Sequence, residues 1–330
     1  MKKLLVLSPG RQVQLVRELG GHFTLGVGDN SPLTLACYSE YTTYRMPRYL
    51  EAEYAETLVG IVTSEGYEAV ISLHDVEVVC LARLRDELER RGCIVLVPPV
   101  DKAEACLDKY DFALLCASYG LHAPRTVLWS GLPQDEVGLD FPCLLKPRRG
   151  MGSRSHYVVR SLHELQVLGE YLRIAEPEGQ WVMQEFLQGV EYGLDVVNDL
   201  QGRYFVSVVK RKLAMRGGET DAAMVVHDAE LERLARDVSR MVEHRGNADC
   251  DVLVSNGVPY LLDVNPRFGG GYSFSWQAGL DVPRYLSVWM EGGELDAAQE
   301  VHLERGLICQ RTSTLIPVDG RALLGEVELQ

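Results

Sequence analysis

Short apolar runs alternate with amphipathic helical patterns through the first hundred residues, and this rhythm restricts the fold more than any other feature of the chain. Residues 3–7 form an apolar run that ends at Ser8-Pro9-Gly10-Arg11. A helical pattern follows through Val13, Leu15, Val16 and Leu19, and residues 23–27 form a second run that ends at Gly28-Asp29-Asn30-Ser31. The alternation continues with a helix over 54–64, a strand over 69–73, a long helix over 76–91 and a strand over 93–97, closed by Pro98-Pro99. Strand–helix–strand units pair in parallel, so the spacing predicts an α/β domain of Rossmann-like type. Asp29 at the end of the second strand would suit a dinucleotide site, but Ser8-Pro9-Gly10-Arg11 lacks the GxGxxG fingerprint, which disfavours a nicotinamide cofactor.

The 330 residues carry a formal net charge of -14, a poor balance for nonspecific binding to nucleic acid or an anionic membrane. The apolar start is too short for a signal peptide and is broken by Pro9 and Gly10, so a first strand is expected there. No apolar run is long enough to span a bilayer. The eight cysteines are scattered without a CxxC pair, which points to a reducing, cytoplasmic location and no structural zinc. His74-Asp75 follows the strand 69–73, where parallel sheets gather ligands; the pair suits a substrate contact, and Asp75 equally suits a helix cap.

Further along, 101–119 reads as one helix ended by Gly120, and a domain boundary is expected near Phe112. A strand over 141–147 carries a single lysine, Lys146, in an apolar setting. The segment 148–155 that follows holds two glycines, two serines and three arginines, and so is fit to fold over phosphates; a solvated hairpin is the alternative. It is not a Walker A loop. The three arginines would repel one another without an anion, so a mobile empty loop is expected. Ser161 and Glu164 have the spacing of a capping box. Strands are expected over 181–186, 191–197 and 204–209. Lys210-Arg211-Lys212 and Arg216-Gly217-Gly218-Glu219-Thr220 form a second basic, glycine-containing stretch, and positive charge concentrated this way in an acidic chain implies an anionic ligand.

A helix over 228–244 precedes a strand over 248–254 with Asp251 in it, then the turn Ser255-Asn256-Gly257 and a strand ending Leu261-Leu262-Asp263-Val264-Asn265. Residues two apart on a strand share a face, so Asp263 and Asn265 can present a carboxylate and an amide oxygen together, which suits Mg²⁺. Pro266 ends the pairing, Arg267 supplies a planar cation suited to phosphate, and Gly269-Gly270-Gly271 permits close backbone approach. Asp251 lies on the hairpin partner and could face Asp263 across a metal. An ordinary strand, capped turn and glycine linker would also account for the stretch.

Taken in order, these pieces resemble the ATP-grasp superfamily, in particular single modules like those of the carbamoyl phosphate synthetase large subunit. The resemblance rests on Asp108-Lys109-Tyr110, Leu145-Lys146-Pro147 before the glycine loop, the run from Gln184 to Glu191, Asp251, and Asp263-Val264-Asn265-Pro266-Arg267. It implies α/β architecture, α+β in the C-terminal half: a Rossmann-like pre-ATP-grasp domain over 1–112, a small subdomain with the glycine-rich loop over 113–182, and a C-terminal subdomain with the metal site over 183–330. By position, Lys109 and Lys146 match nucleotide-binding cations, with Arg149 and Ser153 on the loop. Glu185, Phe186 and Leu187 match the hinge whose backbone meets adenine, and Glu191 matches the ribose-binding carboxylate. Asp251, Asp263 and Asn265 match ligands of Mg²⁺ (or Mn²⁺), and Arg267 matches the arginine on the transferring phosphoryl group, with Lys146 and Asn265 also in the catalytic set. The family more often has Glu where this chain has Asp263.

The activity implied is an ATP- and Mg²⁺-dependent ligase that activates a small carboxylic acid as an acyl phosphate and joins it to an amine or similar nucleophile. Arg216, Glu219, His74 and Asp75 would then line the acceptor site. Small-molecule carboxylate and amine partners are expected, no nucleic acid or membrane, and a homodimer is left open. A stand-alone component resembling the carbamoyl phosphate synthetase large subunit and a non-catalytic ATP-binding regulator are the alternatives.

Overall fold

A computed structural model describes residues 1–130, 138–150, 156–176, 180–313 and 315–318. The N-terminal unit runs β1 (Lys3–Leu7), α1 (Val13–Gly20), β2 (Thr24–Asp29), α2 (Pro32–Ala36), β3 (Thr42–Arg45), α3 (Glu53–Glu65), β4 (Ala69–Ser72), α4 (Asp75–Glu89) and β5 (Ile94–Val95). Its five strands are parallel in the order β3-β2-β1-β4-β5, which is the Rossmann-like arrangement the rhythm predicts. Both faces of β1 are covered: Leu4 and Val6 enter one core, Leu5 and Leu7 another. That is why the strand is apolar without alternation. The strand order reverses between β1 and β4, so the end of β4, at Ser72 to Asp75, lies at a topological switch point. The short α2 and β3 carry little buried apolar surface and have no counterpart in the predicted rhythm.

The expected helix over 101–119 is two helices, α5 (Val100–Leu107) and α6 (Lys109–Ser118), broken at Asp108. Asp108 takes an extended conformation (φ -116°, ψ 113°), and its carboxylate accepts from Tyr110 N at 3.1 Å and Asp111 N at 3.2 Å. An aspartate that caps satisfies donors an uninterrupted helix would bond internally, so it starts a new helix where apolar periodicity alone shows no break.

A four-stranded antiparallel sheet follows, built from β6 (Thr126–Trp129), β7 (Cys143–Pro147), β8 (Tyr157–Val159) and β9 (Trp181–Glu185) in the order β6-β9-β7-β8. Helix α7 (Leu162–Ala175) packs on it through Leu165 and Leu172. Ser161 caps α7 by accepting from Glu164 N at 3.2 Å, while the Glu164 carboxylate accepts from Arg160 N at 2.7 Å, one residue earlier than an ideal capping box.

The C-terminal unit comprises β10 (Val190–Asn198), β11 (Tyr204–Arg216), β12 (Glu219–Val226), α8 (Ala229–Val242), β13 (Gly246–Ser255), β14 (Val258–Asn265), α9 (Tyr272–Gln277), α10 (Val282–Met290), α11 (Ala297–Glu300) and β15 (Ile308–Gln310). Its sheet has the order β14-β13-β10-β11-β12-β15. Asn256 (φ 51°) and Gly257 (φ 78°) make the tight turn expected between β13 and β14. Strand β11 runs on through Lys210-Arg211-Lys212 to Arg216, so these residues belong to a strand, not to a basic loop. One sheet face, with Val196, Val209, Cys250 and Val252, is covered by Leu231, Leu234, Val238 and Met241 of α8. Alternation therefore turns the polar residues of the same strands to the opposite face. The N-terminal and C-terminal units share a core: Leu4, Val6 and Leu25 cluster with Val208, Phe268, Tyr272 and Tyr285. Among the described residues no helix is long and apolar enough to cross a membrane.

Candidate active site

Two rows of side chains cross the polar face of the C-terminal sheet. Asp263 is paired with Asp251, Asp251 with Gly193, and Gly193 with Lys210; in the next row Asn265 is paired with Asp249, and Asp249 with Asp195. Residues directly opposite on antiparallel strands share a face at close range. Asp251 thus stands across from Asp263, as its hairpin position predicts. Both Lys210 and Lys212 pass over Gly193: a Cβ there would lie in ordinary contact with them, 3.4 Å from Lys210 Cε and 3.8 Å from Lys212 Cε.

Both lysines have carboxylate partners. Lys210 is almost fully buried and pairs with Asp195, which also accepts from Ser275 Oγ and, at 2.9 Å, from Asn247 Nδ2. Lys212 donates to Asp251 Oδ1 at 2.7 Å and lies 3.6 Å from Glu191 Oε2. Burial opposes its charge, but Asp251 and then Glu191 and Asp249 outweigh it, and the ammonium pKa is raised. Glu191 therefore stands beside this lysine at the edge of the rows, with a half-exposed side chain.

Arg267, just past β14, reaches back to the N-terminal unit. Its Nε is 2.7 Å from Asp75 Oδ1, its Nη2 donates to Asp75 Oδ2 at 2.9 Å, and its Nη1 donates to the Phe268 carbonyl at 3.0 Å and lies 3.9 Å from Asp249 Oδ2. Asp75 is the first residue of α4 but does not cap it; His74 precedes it as the N-cap, without a side-chain hydrogen bond to the helix. The His74 ring packs against Tyr49 with centroids 5.0 Å apart, and its Nδ1 is buried with no partner.

Two further lysines approach Asp263 from the other side. Lys146 on β7 is buried and donates to Gln184 Oε1 at 2.7 Å, and Gln184 in turn donates to Thr126 Oγ1 at 2.7 Å. Burial, and then the neighbouring Lys109, lower the Lys146 pKa to about 8, while Asp263 acts in the opposite sense. Lys109 donates to the Gly150 carbonyl at 3.1 Å, and burial lowers its pKa as well. His156 registers the same excess of positive charge: burial, Lys146 and Lys109 push its imidazole down to about 4. On the acidic side, burial raises Asp263 to about 6, with Asp251 and Asp75 adding to the rise. Burial and Asp251 likewise raise Asp249, against the pull of Lys210 and Arg267.

The glycine run explains itself at this face. A Cβ on Gly269 would fall 2.1 Å from Asp249 Cγ, one on Gly270 3.5 Å from Arg311 Nη2, and one on Gly271 3.4 Å from Lys210 Nζ. The backbone thus passes directly over Asp249, and a small cavity opens beside it, lined among others by Lys212, Glu219, Asp251, Phe274 and Arg311.

The remaining expected positions are dispersed. Arg148 and Arg149 are not left without an anion: both bond Asp108, Arg148 Nε at 2.8 Å and Arg149 Nε at 3.0 Å, so the mutual repulsion expected of them is relieved inside the protein. Ser153, with Arg154 and the rest of 151–155, lies outside the described residues. Glu185 ends β9, and Phe186 and Leu187 join the four-stranded sheet to β10 of the six-stranded one. That join is tight, because a Cβ on Gly189 would stand 2.2 Å from the Val254 carbonyl oxygen. Arg216 is 81 % exposed at the β11–β12 hairpin and points its Nε no closer than 3.8 Å to Asp221. Glu219 pairs with Arg311. The sequence marks Gln184 only as the start of the run to Glu191, without a role, and does not mark Asp249, Asp195 or Arg311; a period-two count from Asp251 reaches Asp249, but nothing local marks the other two.

Among the described residues no three His, Cys, Asp or Glu side chains form a closed metal centre. The donor set is an open one, two facing carboxylates and an amide oxygen, and burial and then Asp251 raise the Asp263 pKa, a penalty that a cation would relieve. This fits Mg²⁺, which keeps water and phosphate oxygens among its ligands.

Residues 106–271 match the family profile of the ATP-grasp domain, and residues 4–96 match that of the PylC-like N-terminal domain. The carbamoyl phosphate synthase large chain of Halobacterium salinarum is 24% identical over 309 residues, covering 88% of this chain and 29% of that protein. The corresponding protein of Deinococcus radiodurans is 25% identical over 198 residues, covering 56% of this chain and 19% of its own length. The chain thus spans less than a third of the curated relatives it matches. An L-amino acid ligase from Bacillus licheniformis superposes with a TM-score of 0.67 at 16% identity, over 99% of this chain and 85% of that one. A carboxyaminoimidazole ribonucleotide synthase from Aspergillus clavatus, complexed with ATP, superposes with a TM-score of 0.72 at 14% identity, over 92% and 80%. At these identities the superpositions establish the fold.

Proposed function

The chain belongs to the ATP-grasp family, and from that premise we propose that it is an ATP- and Mg²⁺-dependent ligase that activates a small carboxylic acid as an acyl phosphate and joins it to an amine. The observation that carries this reading is the pair Lys109 and Lys146. Burial, and then the neighbouring Lys109, disfavour the charge on Lys146, which has only the neutral Gln184 as a hydrogen-bonding partner among the described residues. Buried charge without a counterion is costly, and a polyphosphate entering between the lysines removes that cost.

In this reading Lys109 and Lys146 hold the phosphates, the Glu185–Leu187 connection meets the base, and Glu191 meets the ribose. Asp263, Asn265 and Asp251 would hold Mg²⁺ or Mn²⁺, which would supply charge neutralisation at the phosphate oxygens. Arg267, fixed by Asp75, faces the phosphoryl group in transit. The substrate carboxylate oxygen forms a bond to the γ-phosphorus as the bond from that phosphorus to ADP breaks. The amine nitrogen then bonds to the acyl carbon, inorganic phosphate leaves with the C–O bond electrons, and the amine's proton passes to solvent. Such transfer needs positioning and charge stabilisation but no protein nucleophile. The test is ADP and phosphate release from ATP and Mg²⁺ across pairs of small acids and amines. Release dependent on both partners supports the reading. Binding of an ATP analogue without turnover for any pair favours the regulatory alternative.

A further inference from the structure

The cavity beside the glycine run lies between the candidate phosphate site and the outer edge of the sheet. Its volume is about 110 Å³. A single water needs roughly 10–15 Å³ of such space, so the cavity admits a small organic molecule. Its charges are divided. Asp249 and Asp251 are on β13, next to Arg267. Arg311 lies just beyond β15, and its guanidinium reaches over the sheet to the Gly270 carbonyl, between Gly269 and Gly271, whose Cβ positions approach Asp249. The cavity therefore has carboxylates on the side of Arg267 and a guanidinium at the glycine run.

The lysines that line it do not compete for an anionic ligand, because Lys210 is held by Asp195 and Lys212 by Asp251. Arg311 is different. Its Nη2 donates to the Gly270 carbonyl at 2.5 Å, its guanidinium lies 6.0 Å from the Phe274 ring centre, and its acidic partner is Glu219, whose side chain is 70% exposed. Ion pairs with so exposed a partner contribute little. Arginine has five donors in a fork that fits a carboxylate, and among the described residues the side-chain hydrogen bonds of Arg311 go to Glu219 and the Gly270 carbonyl. Glu219 thus occupies, from the protein's own chain, the place of a ligand carboxylate.

Resting on the ligase reading above, we propose that this cavity binds the nucleophile, and that the nucleophile is a small α-amino acid with its carboxylate on Arg311 and its amine toward Asp249. Ammonia or a simple thiol would have no use for Arg311.

The experiment is titration of the full chain, with Mg²⁺ and a non-hydrolysable ATP analogue, by L-alanine and by L-alaninamide, which differ in the carboxylate alone. L-Alanine is expected to bind the native protein roughly ten- to hundredfold more tightly, the range of a charge-assisted hydrogen bond. Arg311→Gln should abolish that preference while still binding the analogue, which verifies folding. Glu219→Gln should keep or enhance it, since the competing carboxylate is gone. Equal binding of alanine and alaninamide by the native protein, a preference that survives in R311Q, or no binding of alanine would overturn the proposal. Failure of the ATP analogue to bind the native protein would instead sink the ligase reading, and the alanine–alaninamide comparison made without nucleotide would still decide the cavity.

Discussion

Arg267 and Asp75 meet through two N–O contacts, at 2.7 and 2.9 Å, across 192 positions of sequence. The arginine follows β14 of the β13–β14 hairpin, and the aspartate opens a helix of the N-terminal unit. Both side chains are largely buried. The contact explains how a domain that lacks a dinucleotide fingerprint still contributes to the site: it fixes the guanidinium.

Asp75→Ala should therefore lower stability and turnover together. Removing one member of a buried pair costs about 3–5 kcal/mol, so the urea midpoint should fall clearly, and turnover should fall further than ATP-analogue affinity. A variant with native turnover would show that Arg267 needs no fixing.

The Asp263→Ala, Asn265→Ala double variant should lose Mg²⁺-dependent ATP turnover while keeping its circular dichroism spectrum. Turnover at a similar rate would move the metal to other ligands.

Lys146→Ala should weaken ATP-analogue binding roughly ten- to hundredfold. Lys102→Ala should not, because Lys102 only touches Tyr119, at 3.3 Å on the surface. The pH dependence has a definite sign. Lys146 titrates at about 8 in the fold against an ordinary 10.5, so between these values the folded chain binds fewer protons than the unfolded one, and this group adds stability as pH rises through the window. Phosphate favours the protonated lysine, so analogue binding should weaken above pH 8 and take up a proton there. Calorimetry in buffers of different ionisation enthalpy reads that uptake.

His156 offers a second readout. Its imidazole is held near 4 by burial, Lys146 and Lys109. An anion between the lysines should raise that value, and Lys146→Met should raise it without ligand. An unchanged proton NMR titration of His156 with the analogue bound would place the phosphates elsewhere.

Gly269→Ala should be far worse than Gly270→Ala. The first Cβ would overlap Asp249, the second only touches Arg311 at ordinary distance. Overpacking of this kind costs about 1–3 kcal/mol, and the displaced Asp249 should take activity with it. Equal melting temperatures for the two variants would contradict the close approach of Gly269 to Asp249.

The sequence by itself determined the local order of the fold: the apolar runs and helical periods of the first hundred residues, the Asn256-Gly257 turn, and the alternation that turns Asp263 and Asn265 to one face. These follow from side-chain period and backbone preference, which act over a few residues. Tertiary structure decided the rest. Asp108 breaks a helix that periodicity joins, and it neutralises Arg148 and Arg149, 40 and 41 positions away. Lys210 and Lys212 look like a basic loop in the sequence but lie on a strand, each beside its own aspartate, because β11 pairs with β10 and β10 with β13. Asp75 meets Arg267 only once the two sheets are packed, and Arg311 reaches the glycine run once β15 pairs with β12 at the edge of the C-terminal sheet. A charged residue's period shows which face it occupies; its partner is set by strand order and domain packing, and so is whether it stands as a free charge or half of a pair.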